Sequence, residues 1–135
     1  MANNPTPYDA SVIAAVNAFT ALLNSGTLQI YTGSQPALNG SLTGTLLATL
    51  TFSATAFPTA TASAGTVTAT ANAITSGIAA NTGTAGYFAL VSSGSSTVAT
   101  GSVGTSGADL NLSTLSINAG QTVSCSSFLV TMAET

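Results

Sequence analysis

The stretch Thr84-Ala85-Gly86-Tyr87-Phe88-Ala89-Leu90-Val91-Ser92-Ser93-Gly94-Ser95 decides the fold class. Tyr87, Ala89 and Val91 fall on one face of an extended chain, and Phe88 and Leu90 on the other. Apolar residues on both faces predict a strand buried on both sides. Ser92-Ser93-Gly94-Ser95 reads as a hairpin turn into a partner strand over Thr97 to Val103. A buried antiparallel hairpin needs further sheet to cover it.

Working outward, the same period-two signal recurs. Thr27 to Thr32 alternates, with Leu28 and Ile30 on one face. Gly33-Ser34-Gln35-Pro36 and Asn39-Gly40 form a polar loop. Thr45 to Phe52 sets Leu46, Ala48, Leu50 and Phe52 against Leu47, Thr49 and Thr51, the pattern of a half-buried strand. Ser53 to Ala64 is rich in Ala and Thr; Pro58 disfavours a central strand there, and Phe57 is its candidate anchor. Val67, Ala69 and Ala71 alternate with Thr over 66–71, and a short strand near 73–78 is a weaker expectation. Leu110, Leu112, Leu115 and Ile117 form two short alternations, followed by a turn at Asn118-Ala119-Gly120. One last strand is expected from Gln121 to Met132, with a β-bulge at Ser126-Ser127 absorbing a slip of phase between Cys125 and Phe128.

The segment before these strands reads as a helix over about residues 7–24. Thr6 is the expected N-cap, Pro7 the first helical residue and Asp9 an acid at the positive helix end. Val12, Val16, Phe19 and Leu23 form one apolar stripe, which Ile13 and Leu22 broaden. Asn24-Ser25-Gly26 closes the helix, with Gly26 placed for a left-handed cap. One helix and about seven or eight short strands, with turn signals roughly every 8–12 residues, predict a mainly β, antiparallel sandwich or jelly roll in a single domain over 1–135. Edge strands are a puzzle, because no Lys guards them. They are expected to lie under the helix or to pair with a neighbouring subunit.

Composition restricts function more sharply than fold. The 135 residues include no Lys, Arg or His and only three acidic side chains, so charged residues make up 2%, against about 25% in ordinary soluble proteins. A 45% hydrophobic content with net charge −3 argues for a folded chain and against disorder. Without cations there is no footprint for phosphates, so no nucleic-acid partner is expected, and no attraction to an anionic membrane. No stretch is long and apolar enough for a membrane-spanning helix. Met1-Ala2-Asn3-Asn4-Pro5 lacks a positive region followed by an apolar one, so no secretory signal is expected.

The chemistry of catalysis is thin as well. His and Lys are missing, and Asp9, Asp109 and Glu134 are far apart in sequence, so general acid–base work has few players. Serine and threonine hydroxyls have no base to activate them. Cys125, the single cysteine, alternates with apolar positions and is expected to be a buried small hydrophobe. No spacing matches a zinc or calcium site, and Gly104-Thr105-Ser106-Gly107 lacks the lysine of a phosphate loop. Asp109 reads as a turn former and Tyr87 as a core residue with a satisfied hydroxyl. The expectation is no enzyme, no cofactor and no metal. A surface so poor in charge suits a protein that works within an assembly, as a homodimer or other homo-oligomer. Its candidate interface residues are Val12, Val16, Phe19 and Leu23 of the stripe, and Tyr31; packing of the stripe on the chain's own sheet is the plainer reading.

Three segments resemble a known family: Thr84-Ala85-Gly86-Tyr87-Phe88, then Gly101-Ser102-Val103-Gly104-Thr105-Ser106-Gly107-Ala108-Asp109-Leu110-Asn111-Leu112, then Gly120-Gln121-Thr122-Val123. The opening Gly26-Thr27-Leu28-Gln29-Ile30-Tyr31-Thr32-Gly33-Ser34-Gln35-Pro36-Ala37 shares in it. With a gap over the Ala/Thr-rich middle, the chain is similar to small tailed-phage virion proteins, in particular capsid cement (decoration) proteins. The resemblance implies a β-sandwich or jelly roll that dimerises on the capsid exterior, binds the major capsid protein and staples neighbouring capsomers, after synthesis in the host cytoplasm. The alternative within the same resemblance is a tail or fibre-associated module, structural or receptor-binding. Exposed aromatics in a concave loop site would favour it, but the chain has only three Tyr, five Phe and no Trp. A remoter option is a surface binder using arrays such as Thr66, Thr68 and Thr70.

Overall fold

The computed structural model describes residues 8–133. In chain order the elements are α1 (Asp9–Ala21), β1 (Thr27–Thr32), β2 (Leu46–Thr51), β3 (Thr61–Ser63), β4 (Thr66–Thr70), β5 (Gly77–Ile78), β6 (Gly83–Val91), β7 (Thr97–Gly104), β8 (Leu110–Asn111), β9 (Ser116–Ile117), β10 (Thr122–Val123) and β11 (Leu129–Ala133). The protein is mainly β with one N-terminal helix, as the sequence patterns predict. Seven of the strands have three or more residues; the other four are two-residue rungs.

The large sheet runs β2-β1-β6-β7-β8, with β9 paired to the start of β6. It is curled into a half-barrel. All its pairings are antiparallel except β7 with β8, so the sheet is mixed rather than purely antiparallel. A three-stranded sheet, β11-β4-β3, and a small β10-β5 ladder complete the architecture. The register places Leu50, Leu28, Leu90 and Ala99 in one rung across the large sheet, and Ala48, Ile30, Phe88 and Gly101 in the next. These rungs form the inner face, and all but the half-buried Ala99 are buried. Gly101 is required by this packing: a Cβ there would press on the ring of Phe88 directly across the ladder.

Aromatic rings join the two main sheets. Phe128, which leads into β11, meets Phe88 of β6 edge-on, with centroids 5.5 Å apart at 90°. It also lies 6.4 Å from both Phe52 and Phe57. Phe57 therefore anchors the Ala/Thr-rich segment, as expected. Such edge-to-face pairs add about 0.5–1.5 kcal/mol beyond their area burial.

The helix departs from expectation at both ends. Tyr8, in extended conformation, is the N-cap, and Asp9 begins the helix; Thr6, the expected cap, and Pro7 lie outside the described residues. The helix ends at Ala21 rather than near residue 24. Its last turn tightens into i→i−3 bonds, with Leu23 N donating to Thr20 O at 3.0 Å and Asn24 N to Ala21 O at 3.3 Å. This frees Asn24 Oδ1 to accept from Ala56 N and lets Ser25 N donate to Ser53 O. Ser25, not Gly26, takes the left-handed conformation, with φ 57°. Gly26 is needed for a different reason: a Cβ would overlap the carbonyl oxygen of Val91.

The buried stripe is Val12, Val16, Thr20 and Leu23. Phe19 is only half-buried and Leu22 is exposed. Thr20 takes the place expected for Phe19, and its hydroxyl is satisfied by donating to Asn17 O at 3.2 Å. Helix α1 packs on the three-stranded sheet, and Asn17 Oδ1 ties it to the Ala60 amide at 2.9 Å.

The expected last strand is two strands in different sheets. β10 pairs with β5, and β11 pairs with β4. The slip of phase at Ser126-Ser127 is thus a crossing between sheets rather than a bulge within one strand. The Cys125 thiol donates to Ser127 O at 3.2 Å inside this crossing.

Candidate interaction site

Edges and outer faces are where a β protein meets its surroundings, and the chain covers parts of the edges of its large sheet itself. The outer edge of β2 is covered by residues 75–81. Thr51 and Thr75 exchange backbone bonds of 3.0 and 2.8 Å, Ala80 N donates to Leu47 O at 2.8 Å, and Asn81 Nδ2 donates to Leu46 O at 2.9 Å. The outer edge of β7 is closed at its C-terminal end by β8 and by Asp109. Asp109 Oδ2 accepts from both the amide and the hydroxyl of Ser102, at 3.1 and 3.2 Å. Asp109 is thus a turn former, as expected, and also caps an edge strand. A shift of register between Leu90 and Val91 bends the other half of that edge.

The outer face of the large sheet carries Thr49, Gln29, Ala89 and Thr100 in one rung, and Leu46, Tyr31, Tyr87 and Ser102 in another. The loop after β1 folds over part of it. Tyr87, fully buried, donates its hydroxyl to Thr43 O at 2.5 Å and accepts from Thr43 N at 3.0 Å, so the loop is pinned to the sheet by a satisfied core tyrosine. Tyr31 stacks on Tyr87 at 5.3 Å with planes 8° apart. Its hydroxyl donates to Gln29 Oε1 at 2.7 Å, and Gln29 Nε2 donates to Thr27 Oγ1 at 3.3 Å. Burial first, and the nearby Tyr87 second, hold the Tyr31 phenol above its usual pKa.

The five candidate interface residues do not form one patch. Val12, Val16 and Leu23 are buried in the chain's own core, so the stripe is already occupied and offers no apolar face to a partner. Phe19 and Tyr31 are half-buried. Tyr31 keeps a place on an accessible face; Phe19 packs against the core.

The outer face of the three-stranded sheet is rich in hydroxyls. Thr61, Thr68 and Thr131 stand in one rung across all three strands, with Ser63, Thr66 and Ala133 in the next. Beside it, β11 leaves Leu129 and Met132 exposed. Met132 shares the inner phase with Phe128 and Val130, as expected, but reaches only the rim of the core. The sequence reading missed this strand as a surface. The signal was present in the alternation of Leu129, Thr131 and Ala133 with no guarding charge among them.

A cleft of about 290 Å³ lies between Pro36–Gly40 and Thr97–Thr100. No aromatic or titratable side chain lines it, and the exposed Tyr8 lies elsewhere, at the helix start. Among the described residues no three His, Cys, Asp or Glu side chains gather to hold a metal ion. Burial pushes the Cys125 thiol above its usual pKa, which keeps it protonated and weakly nucleophilic. No helix of the described chain is long and apolar enough to cross a membrane. No family model, no curated protein and no solved structure matches the chain.

Proposed function

We propose that this chain is a structural virion protein, a decoration (cement) protein that binds the major capsid protein on the outside of a tailed-phage head and stabilises the shell. It works by contact and turns over no substrate. The observation that carries the reading is the nearly uncharged surface: a three-stranded sheet face of Thr and Ser, and a rung of the large sheet with Thr49, Gln29 and Thr100, on a chain with no basic side chain. Such faces dock by shape and hydrogen bonding, and an assembly protects them from the non-specific association that threatens a freely diffusing uncharged domain. The resemblance of the segments 26–37, 84–88, 101–112 and 120–123 to small virion proteins points the same way. The chain is made in the host cytoplasm and joins the particle from there.

Counting copies in purified particles tests this. A decoration protein is present in hundreds of copies, in proportion to the capsid protein. A small multiple of three or six would move the chain to the tail or a fibre, and absence from particles would remove it from the virion.

A further inference from the structure

Among the described residues the outer sides of β3 and of the first half of β7 have no partner strand, and neither does β11, the one of these edges that also exposes large apolar side chains, Leu129 and Met132. β4 occupies only the inner side of β11. The register shows which backbone groups point outward. Ala71 N donates to Phe128 O at 2.8 Å, so positions 71 and 128 are a hydrogen-bonded pair. Bonded and non-bonded pairs alternate along an antiparallel ladder. Val130 and Met132 therefore bond to β4, whereas the N–H and C=O groups of Leu129, Thr131 and Ala133 face away from it.

We infer that this edge pairs with the same edge of a second copy, antiparallel about a two-fold axis at Thr131. That register sets Thr131 opposite Thr131 of the second copy and Leu129 opposite its Ala133. All the outward groups then find partners, in three bonded pairs that make about six hydrogen bonds. Side chains fit the same register. Directly opposed residues share a face, so Met132 gains Val130 of the second copy as neighbour, and Leu129 gains Ala133. These are the two large exposed apolar side chains of the strand. An edge paired with itself closes, as isologous contacts do, and does not propagate. The two three-stranded sheets become one six-stranded sheet, and the Thr61–Thr68–Thr131 rung continues unbroken into the second copy.

This inference deepens the assembly reading and rests on it for its biological setting, but it concerns the isolated chain and is tested without particles. Thr131→Pro removes an outward N–H and leaves the bonds to β4 intact, because Pro is tolerated where a strand's N–H faces out. Val130→Pro, which breaks an inward bond, is the control for a general loss of fold. Sedimentation of the wild-type chain over a concentration series is expected to show a monomer–dimer equilibrium, and Thr131→Pro to weaken it by roughly tenfold or more. Amide hydrogen exchange supplies a second readout that does not depend on the variants. Val130 and Met132 amides should be protected at every concentration, and Leu129, Thr131 and Ala133 amides only where the dimer forms. Two results would overturn the inference. One is a monomer at all concentrations with the outward amides protected, which means another segment of the same chain covers the edge. The other is a dimer unaffected by Thr131→Pro with those amides exchanging freely. Either could occur with the chain still found on capsids, so failure here is distinct from failure of the capsid reading.

Discussion

Replacing Phe128 with alanine removes the ring through which the three-stranded sheet meets the large one. Phe128 is 5% exposed and touches Phe52, Phe57 and Phe88. Buried Phe→Ala changes cost about 3–5 kcal/mol, from lost transfer energy and the cavity left behind. Three ring partners are lost together and the surrounding groups come from different elements, so little collapse is available, and about 4 kcal/mol is the expected cost. Against a typical stability of about 5–15 kcal/mol, that is a large fraction. At this chain length each kcal/mol shifts Tm by about 3–5 °C, which gives a fall of about 15 °C. The assay is urea unfolding followed by tyrosine fluorescence and circular dichroism, with both probes moving together. Phe128→Leu, which keeps most of the apolar volume, should lose no more than about 1.5 kcal/mol. A cost below about 1 kcal/mol for Phe128→Ala, with an unchanged denaturant slope, would refute the view that these rings join the sheets.

Further predictions concern the packing and the titrating groups. Gly101→Ala should cost about 1–3 kcal/mol, because its methyl group meets the Phe88 ring; the urea midpoint reads it. Tyr87→Phe leaves the Thr43 amide and carbonyl without their partner, so stability should fall by about 1–2 kcal/mol and the Thr43 amide should exchange faster. The chain has no His, so stability should be flat between about pH 5.5 and 8. Burial raises the folded-state pKa of Cys125 from its ordinary 9.0. Its contribution is therefore complete below about pH 9 and is lost as pH rises through the raised value. Cys125→Ala should make that alkaline decline shallower in pH-dependent urea midpoints.

The central hairpin was readable because both of its periodicities are local: Phe88 and Leu90 on one face, Tyr87 and Ala89 on the other, and a Ser-Gly turn between the strands. The helix was readable in position but not in its contacts. Its third buried position is Thr20, which an apolar pattern cannot reveal, because what permits its burial is a bond to Asn17 O. The C-terminal end of the helix was set by Asn24 and Ser25 bonding to Ala56 and Ser53, far along the chain. The slip of phase before Phe128 was visible, yet one sequence cannot tell a bulge from a strand that changes sheets. The same limit applies to edges. Which edge is covered depends on Thr75 meeting Thr51 and on Asp109 meeting Ser102 across one loop, and no pattern of spacing encodes either. The apolar stripe drew attention as a possible interface, but its strength reflects the core it fills. The open edge of β11 carries a weaker pattern and lies where the fold leaves backbone groups outward.

Retention on purified particles over a salt series tests the central claim most directly. Contacts made by shape, hydroxyls and backbone groups leave almost no ion pairs to screen, so the bound fraction should stay level from dilute buffer to molar salt while the shell remains intact. Steep release as salt rises, from particles otherwise unchanged, would mean that charge holds the chain in place and would contradict the account.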